Sequence, residues 1–170
     1  MSVLLGHPAP GTCTVRFEST GRLLRVRCDV LGHRLVVSDE EGQVLHVFGG
    51  RGRQPGQLDT PLDVVAVRPE FAGERLPIES FDAVWLAVAD YGNRRVQIFE
   101  LDGSVVGAIA TDGPDGAMWT PTGLAWRSPV LEIDGIEGAR TAVHLSAALL
   151  AAGTPVIGRG RLMPRSEARH

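Results

Sequence analysis

Two aspartate–arginine pairs, Asp29 with Arg34 and Asp90 with Arg95, are the most regularly spaced charged residues in this chain. Placed across a tight turn, such a pair forms a bidentate, charge-assisted contact that fastens one strand to the next. A catalytic centre would occur once, whereas this pair recurs, so Asp29, Arg34, Asp90 and Arg95 are assigned as structural. Other reactive side chains are scattered. His7, His33, His46, His144 and His170 show no metal-ligand spacing, and Cys13 and Cys28 are not in a CxxC arrangement. There is no phosphate-cradling GxxxxGKT-like loop and no GxSxG elbow. The acidic runs Asp39-Glu40-Glu41 and Asp112 to Asp115 carry the charge for a cation, but runs of this kind are ordinarily solvated turns. No catalytic residue, metal ligand or cofactor is assigned, and the expectation is a protein that is not an enzyme.

The elements that must position these residues come from an internal repeat. VWLAVADYGNRRVQIFELDGSVVGAI (residues 84–109) lies over LLRVRCDVLGHRLVVSDEEGQVLHVF (residues 23–48) with a constant shift of 61, which sets Asp90 on Asp29, Arg95 on Arg34 and Gly103 on Gly42. Pro61 falls on Pro121 with a shift of 60, and SVLLGHP at Ser2 to Pro8 falls on DVVAVRP at Asp63 to Pro69. A fixed period of this size marks a stacked repeat. Units are assigned to residues 1–61, 62–121 and 122–154, the third degenerate, with residues 155–170 as a tail expected to be disordered. In the second unit, residues 64–67, 84–89, 95–99 and 104–109 are short runs rich in Val, Ile, Leu and Ala bounded by Gly, Asp, Asn or Pro, the pattern of four strands. Each unit also carries an apparent insertion of about 15 residues between its first two strands, such as Arg68 to Asp82. The insertions alternate acids (Glu70, Glu74, Glu79 and Asp82, then Glu132, Asp134 and Glu137) with apolar residues. Residues 142–152, AVHLSAALLAA, read either as a short helix or as a second strand.

Sequential strands with short turns pair into an up-and-down antiparallel sheet, and a sheet apolar on both faces must stack on others of its kind. Radial stacking makes a propeller. The fold class is therefore all-β: an incomplete β-propeller of two complete four-stranded antiparallel blades and a degenerate third. An apolar face left open at each end of a three-blade arc leads to two alternatives, a homodimer closing a six-bladed ring or a segment of a longer propeller. In such a blade the turns after strands two and four emerge on the same side, which groups residues 51–60 with residues 91–94. That side collects Arg51, Arg53, Gln54, Gln57, Tyr91, Asn93 and Arg94, a mixture suited to a peptide, a phosphodiester or an acidic loop.

VADYGNRRVQIF at Val88 to Phe99 and FGGRGRQPGQLDTP at Phe48 to Pro61 resemble the NHL repeat family: a strand ending Ala-Asp, a short turn with Asn before Arg-Val, and a glycine-rich Pro-Gly-Gln link. The third unit departs from the pattern, with Leu149 and Thr154 where Asp90 and Arg95 stand in the second. The resemblance implies a propeller whose loop face recognises protein or RNA, and some related propellers are metal-dependent lyases or lactonases. Three readings follow: a non-enzymatic protein-binding module, a single-stranded RNA binder using Arg51, Arg53, Tyr91 and Arg94, and a metal-dependent lyase or hydrolase.

Composition narrows the partners. The chain has 170 residues, 44% apolar and 22% charged, with net charge -3, which opposes a generally basic nucleic-acid surface. All 17 basic residues are arginine. No N-terminal basic head precedes an apolar run, and the longest apolar stretch, residues 142–152, is too short to span a bilayer. A cytoplasmic protein without membrane contact is expected. A two-residue turn at Thr20-Gly21 would set Cys13 opposite Cys28; the alternative is two buried thiols in a reduced cytosol.

Overall fold

The computed structural model describes residues 3–68, 84–110, 120–145 and 163–164. They form three antiparallel sheets stacked as blades of an incomplete β-propeller. The first sheet holds β1 (Val3–Ala9), β2 (Thr12–Phe17), β3 (Arg22–Asp29), β4 (Arg34–Ser38) and β5 (Val44–Gly49) in that order. The second holds β6 (Pro61–Val67), β7 (Trp85–Asp90), β8 (Arg95–Glu100) and β9 (Val105–Ala110). The third holds β10 (Pro121–Arg127), β11 (Val130–Gly135), β12 (Arg140–His144) and the two-residue β13 (Met163–Pro164).

The middle sheet explains the stack. Side chains alternate across a strand, and on β6 and β7 both sets are apolar, so every residue of β7 is buried. Val64, Ala66, Leu86, Val88 and Phe99 pack with Cys13, Val15, Phe17, Val26, Leu35 and Val37 of the first sheet. Val65, Val67, Ala87, Ala89, Val96 and Ile98 pack with Leu124, Leu131, Ile133 and Val143 of the third. Phe48 lies against Phe99 with ring centroids 5.2 Å apart. Gly42 and Gly103 recur because the turns from β4 to β5 and from β8 to β9 both need a positive φ, +86° and +92°.

The repeat holds for the pairs that carry it and slips elsewhere. Asp29 sits opposite Arg34 and Asp90 opposite Arg95, as expected. In the first unit the apparent insertion is strand β2, which takes the place beside β3 that β6 takes beside β7; β1, expected there, is one strand further in. Both β1 and β2 are apolar enough to serve, but β2 follows the alternation of a packed strand, with Cys13, Val15 and Phe17 buried. The turn between β2 and β3 spans residues 18–21 and pairs Phe17 with Arg22, so Cys13 lies opposite Val26, two places from the register that a Thr20-Gly21 turn would give. Both cysteines are free.

In the third unit Glu132 and Asp134 belong to β11 and not to an insertion, because a short turn joins β10 directly to β11. Ala142 to His144 lie in β12, a strand rather than a helix, where they pair with β11. Met163 and Pro164, in the stretch expected to be disordered, pair with β12. All but Arg68 of the second unit's expected insertion (Arg68 to Asp82), together with Asp112 to Asp115, Leu149, Thr154 and the rest of the tail, lies outside the described residues. Among the described residues no helix is long and apolar enough to cross a membrane.

Where the sheets meet, the β1–β2 turn, β6 and β10 are tied by one carboxylate. Asp63, 3% exposed, accepts the Gly11 and Val64 amides at 2.8 and 2.9 Å on Oδ1 and the Leu124 amide at 2.9 Å on Oδ2. His7 Nε2, on β1, stands 2.8 Å from the same Oδ1.

Candidate interaction face

Residues 51–60, the link from the first sheet to the second, and residues 91–94, the turn between β7 and β8, come together on one side, as strand order requires. The Gly92 amide donates to the Asp59 carbonyl at 2.8 Å, and the Asn93 amide nitrogen donates to the Gly52 carbonyl at 2.8 Å. The turn is a 3-10 segment, Tyr91–Asn93, closed by Arg94 in the left-handed region at φ 52°. His33 takes the equivalent position one repeat earlier at φ 53°. Its Nδ1 accepts the Thr60 amide at 2.9 Å.

The Asp90–Arg95 pair does more than close its hairpin. Asp90, fully buried, accepts Arg95 Nε at 2.8 Å, Asn93 Nδ2 at 2.9 Å and the Asp59 amide at 2.7 Å. The other two guanidinium nitrogens of Arg95 reach the link, donating to the Arg53 carbonyl at 3.1 Å, Gln54 at 3.2 Å and Gln57 at 2.8 Å. Gln97, buried beside them on β8, accepts the Gly56 amide at 2.7 Å and donates to the Gln57 carbonyl at 3.0 Å. A chain crossing the surface with no sheet partner has its backbone groups satisfied by side chains. The Asp29–Arg34 pair is the open version: Arg34 Nε binds Asp29 at 2.7 Å and the Gly32 amide at 3.1 Å caps the other oxygen. The Arg34 guanidinium, then the Gly32 amide, holds the Asp29 carboxyl below its ordinary range.

This geometry divides the seven residues assigned to binding. Gln57 and Asn93 are committed to the scaffold: the Gln57 side chain accepts its own loop's Gln54 amide at 3.1 Å, and Asn93 bridges Asp90 to Gly52. Arg51, Arg53, Gln54 and Arg94 are exposed, and Tyr91 is half-buried between them. Among the described residues the Arg51 and Arg53 side chains have no hydrogen-bond or ion-pair partner. The result is a rigid loop pair presenting arginines, an amide and a phenol. Among the described residues no three His, Cys, Asp or Glu side chains gather as metal ligands.

Asp63 with His7 carries no signal in the sequence, because Ser2 and Gly123 stand at the corresponding positions of the repeat and nothing recurs. Gln97 was legible as the one polar residue in VQIF, the buried stretch of β8.

No family model matches the chain. The human (Homo sapiens) NHL repeat-containing protein 3 is 30% identical to it over 112 residues, covering 62% of this chain and 28% of that protein. The similarity is to a repeat protein. The chain thus spans under a third of that relative's length.

Proposed function

We propose that this chain is an NHL-type repeat module, not an enzyme, that binds another protein through the face formed by residues 51–60 and 91–94. The observation that carries this reading is the clamp: Arg95, Asp90, Asn93 and Gln97 hold the link rigid while Arg51, Arg53 and Gln54 stay exposed on it. Pre-ordered loops lose less entropy on binding, and arginine with a neighbouring tyrosine is the composition of protein-binding hot spots. Tyr91, the one aromatic among residues 51–60 and 91–94, is half-buried, whereas sequence-tolerant RNA binding requires successive exposed stacking platforms. Two free thiols in the core suit a reducing compartment such as the cytoplasm.

The test places a photo-crosslinking residue at Gln54 and exposes the protein to an extract of its source cells, with and without ribonuclease. A protein adduct that survives ribonuclease and disappears in Arg51→Ala/Arg53→Ala supports the reading. An adduct abolished by ribonuclease, with steeply salt-dependent binding, assigns the face to RNA. Turnover abolished by chelation would replace both with the metal-dependent reading.

A further inference from the structure

The middle sheet shows which positions face a preceding sheet: Val64, Ala66, Leu86, Val88 and Phe99. Strand register carries these positions onto the first sheet. Val64 pairs with Val88 and Ala66 with Leu86, as Thr12 pairs with Arg27 and Thr14 with Arg25. Phe99 pairs with Leu86 as Ser38 pairs with Arg25. Five apolar residues of the middle sheet thus become Thr12, Thr14, Arg25, Arg27 and Ser38 on the outward side of the first. Arg16 joins them on β2, 3.7 Å from Glu40. An apolar sheet laid over this surface would strip water from guanidiniums without pairing them. The apolar open face expected from the repeat is not present at this end.

The far face of the third sheet is also charged, but differently. Arg127, Glu132, Asp134 and Arg140 stand where the middle sheet has Val67, Ala87, Ala89 and Val96. There each arginine has its own acid, Arg127 with Glu132 at 3.4 Å and Arg140 with Asp134 at 3.2 Å. On the first sheet, Arg16 is paired with Glu40 and Arg34 with Asp29. Arg25 and Arg27 have no hydrogen-bond or ion-pair partner among the described residues.

We infer that this arginine-bearing face of the first sheet is a second interaction surface, separate from the loop face, and that it docks an extended acidic polypeptide segment. Arg25 and Arg27 sit on one side of β3 about 7 Å apart, the spacing of alternate side chains on an extended chain. Exposed apolar residues interleave with them on the same side: Leu4 (54% exposed), Val44 (54%) and Val47 (40%). No Phe, Tyr or Trp of the first sheet lies on this side, since Phe17 and Phe48 pack inward, so it has no platform on which bases stack. The balanced far face of the third sheet supplies no excess negative charge to draw a second copy onto it.

The test measures fluorescence anisotropy of a labelled decaglutamate peptide and a labelled ten-residue oligouridylate at low salt, with sedimentation velocity on the same samples. Decaglutamate is expected to bind, more tightly than oligouridylate. Arg25→Ser/Arg27→Thr weakens it at least tenfold, and by more than Arg51→Ala/Arg53→Ala does. Circular dichroism confirms that each variant is folded, and Arg25→Gln/Arg27→Gln, which keeps the aliphatic stems, stands in if the first pair is not. Absence of decaglutamate binding, equal binding by the Arg25/Arg27 variant, or tighter binding of oligouridylate would overturn the proposal. So would self-association abolished by the Arg25/Arg27 variant, which would assign the face to a second copy. Loss of the Gln54 adduct with decaglutamate binding intact would fail the loop-face reading alone.

Discussion

Replacing Asp90 by alanine removes three hydrogen bonds at once: the acceptors of Arg95 Nε, Asn93 Nδ2 and the Asp59 amide. The carboxylate is fully buried and the Arg95 side chain is 17% exposed, so water does not substitute freely for the lost partner. Breaking a buried ion pair from one side costs about 3–5 kcal/mol. Arg95 keeps its three carbonyl acceptors on the link, which places the expected loss near the lower end of that range, about 3 kcal/mol. For a chain of this size each kcal/mol lowers the thermal midpoint by roughly 2–4 °C, so a drop of about 10 °C is expected by circular dichroism at neutral pH. Asp29→Ala, the same change one repeat earlier, leaves a solvated guanidinium and one exposed Gly32 amide, and its effect should be a small fraction of the first. Hydrogen exchange adds a local reading: the Asp59 and Gly92 amides should lose protection in Asp90→Ala. Equal midpoint shifts for the two variants, or a shift of under about 3 °C for Asp90→Ala, would refute the assignment of Asp90 as the clamp of the link.

Asp63→Ala leaves the part-buried Gly11 amide and the buried Leu124 amide without their acceptor; at about 1–3 kcal/mol for a buried group and less for a part-buried one, a loss of about 2–4 kcal/mol is expected in urea unfolding, greater than for His7→Ala. Burial, then the Asp63 charge, raises the Cys28 thiol from 9.0 to about 12. The folded protein therefore holds a proton that the unfolded chain releases above pH 9. Stability is full below that pH and falls as pH rises toward 12, and Cys28→Ala should flatten the decline in midpoints measured between pH 8 and 11. A Cβ at Gly103 would stand 2.7 Å from Phe48 Cγ, whereas one at Gly42 meets nothing within 4 Å. Gly103→Ala should therefore cost more than Gly42→Ala, although both share the positive φ, and paired thermal melts check the difference.

The residues that made the fold legible are those whose period is set by backbone geometry. Asp90, Arg95 and Gly103 lie over Asp29, Arg34 and Gly42 because each strand pair must turn in the same way, and a shift of 61 found all of them. The innermost strand of the first unit lies elsewhere than the repeat places it, because a constant shift assumes equal loops. The second unit takes residues 68–84 to pass from β6 to β7, while residues 18–21 suffice between β2 and β3. SVLLGHP and TCTVRF both satisfy strand composition, and packing against Val64 and Ala66 selected the second. The loop face was legible as an address but not as chemistry. Strand order alone grouped residues 51–60 with 91–94, yet nothing in the types of Gln57 and Asn93 marks them as scaffold rather than contact.

What distinguishes the three sheets is how the same positions are filled. Position by position, Leu86 and Val88 of the middle sheet correspond to Arg25 and Arg27 of the first, and Ala87 and Ala89 to Glu132 and Asp134 of the third. These substitutions fall on the sides that face away from the middle sheet; the sides that face it keep an apolar centre, with Cys13, Val15 and Val26 on one and Leu124, Leu131 and Ile133 on the other. In a stacked repeat the interior unit is apolar on both faces and the outer units are polar on their outer ones. Solubility alone would be met by any mixture of charges, as it is on the third sheet, where each arginine is paired. The first sheet instead keeps Arg25 and Arg27 without a hydrogen-bond or ion-pair partner among the described residues, beside the exposed Leu4 and Val47. An excess of guanidinium there contributes nothing to holding the sheets together, which is why that surface, rather than its balanced counterpart, is the one to probe with acidic peptides.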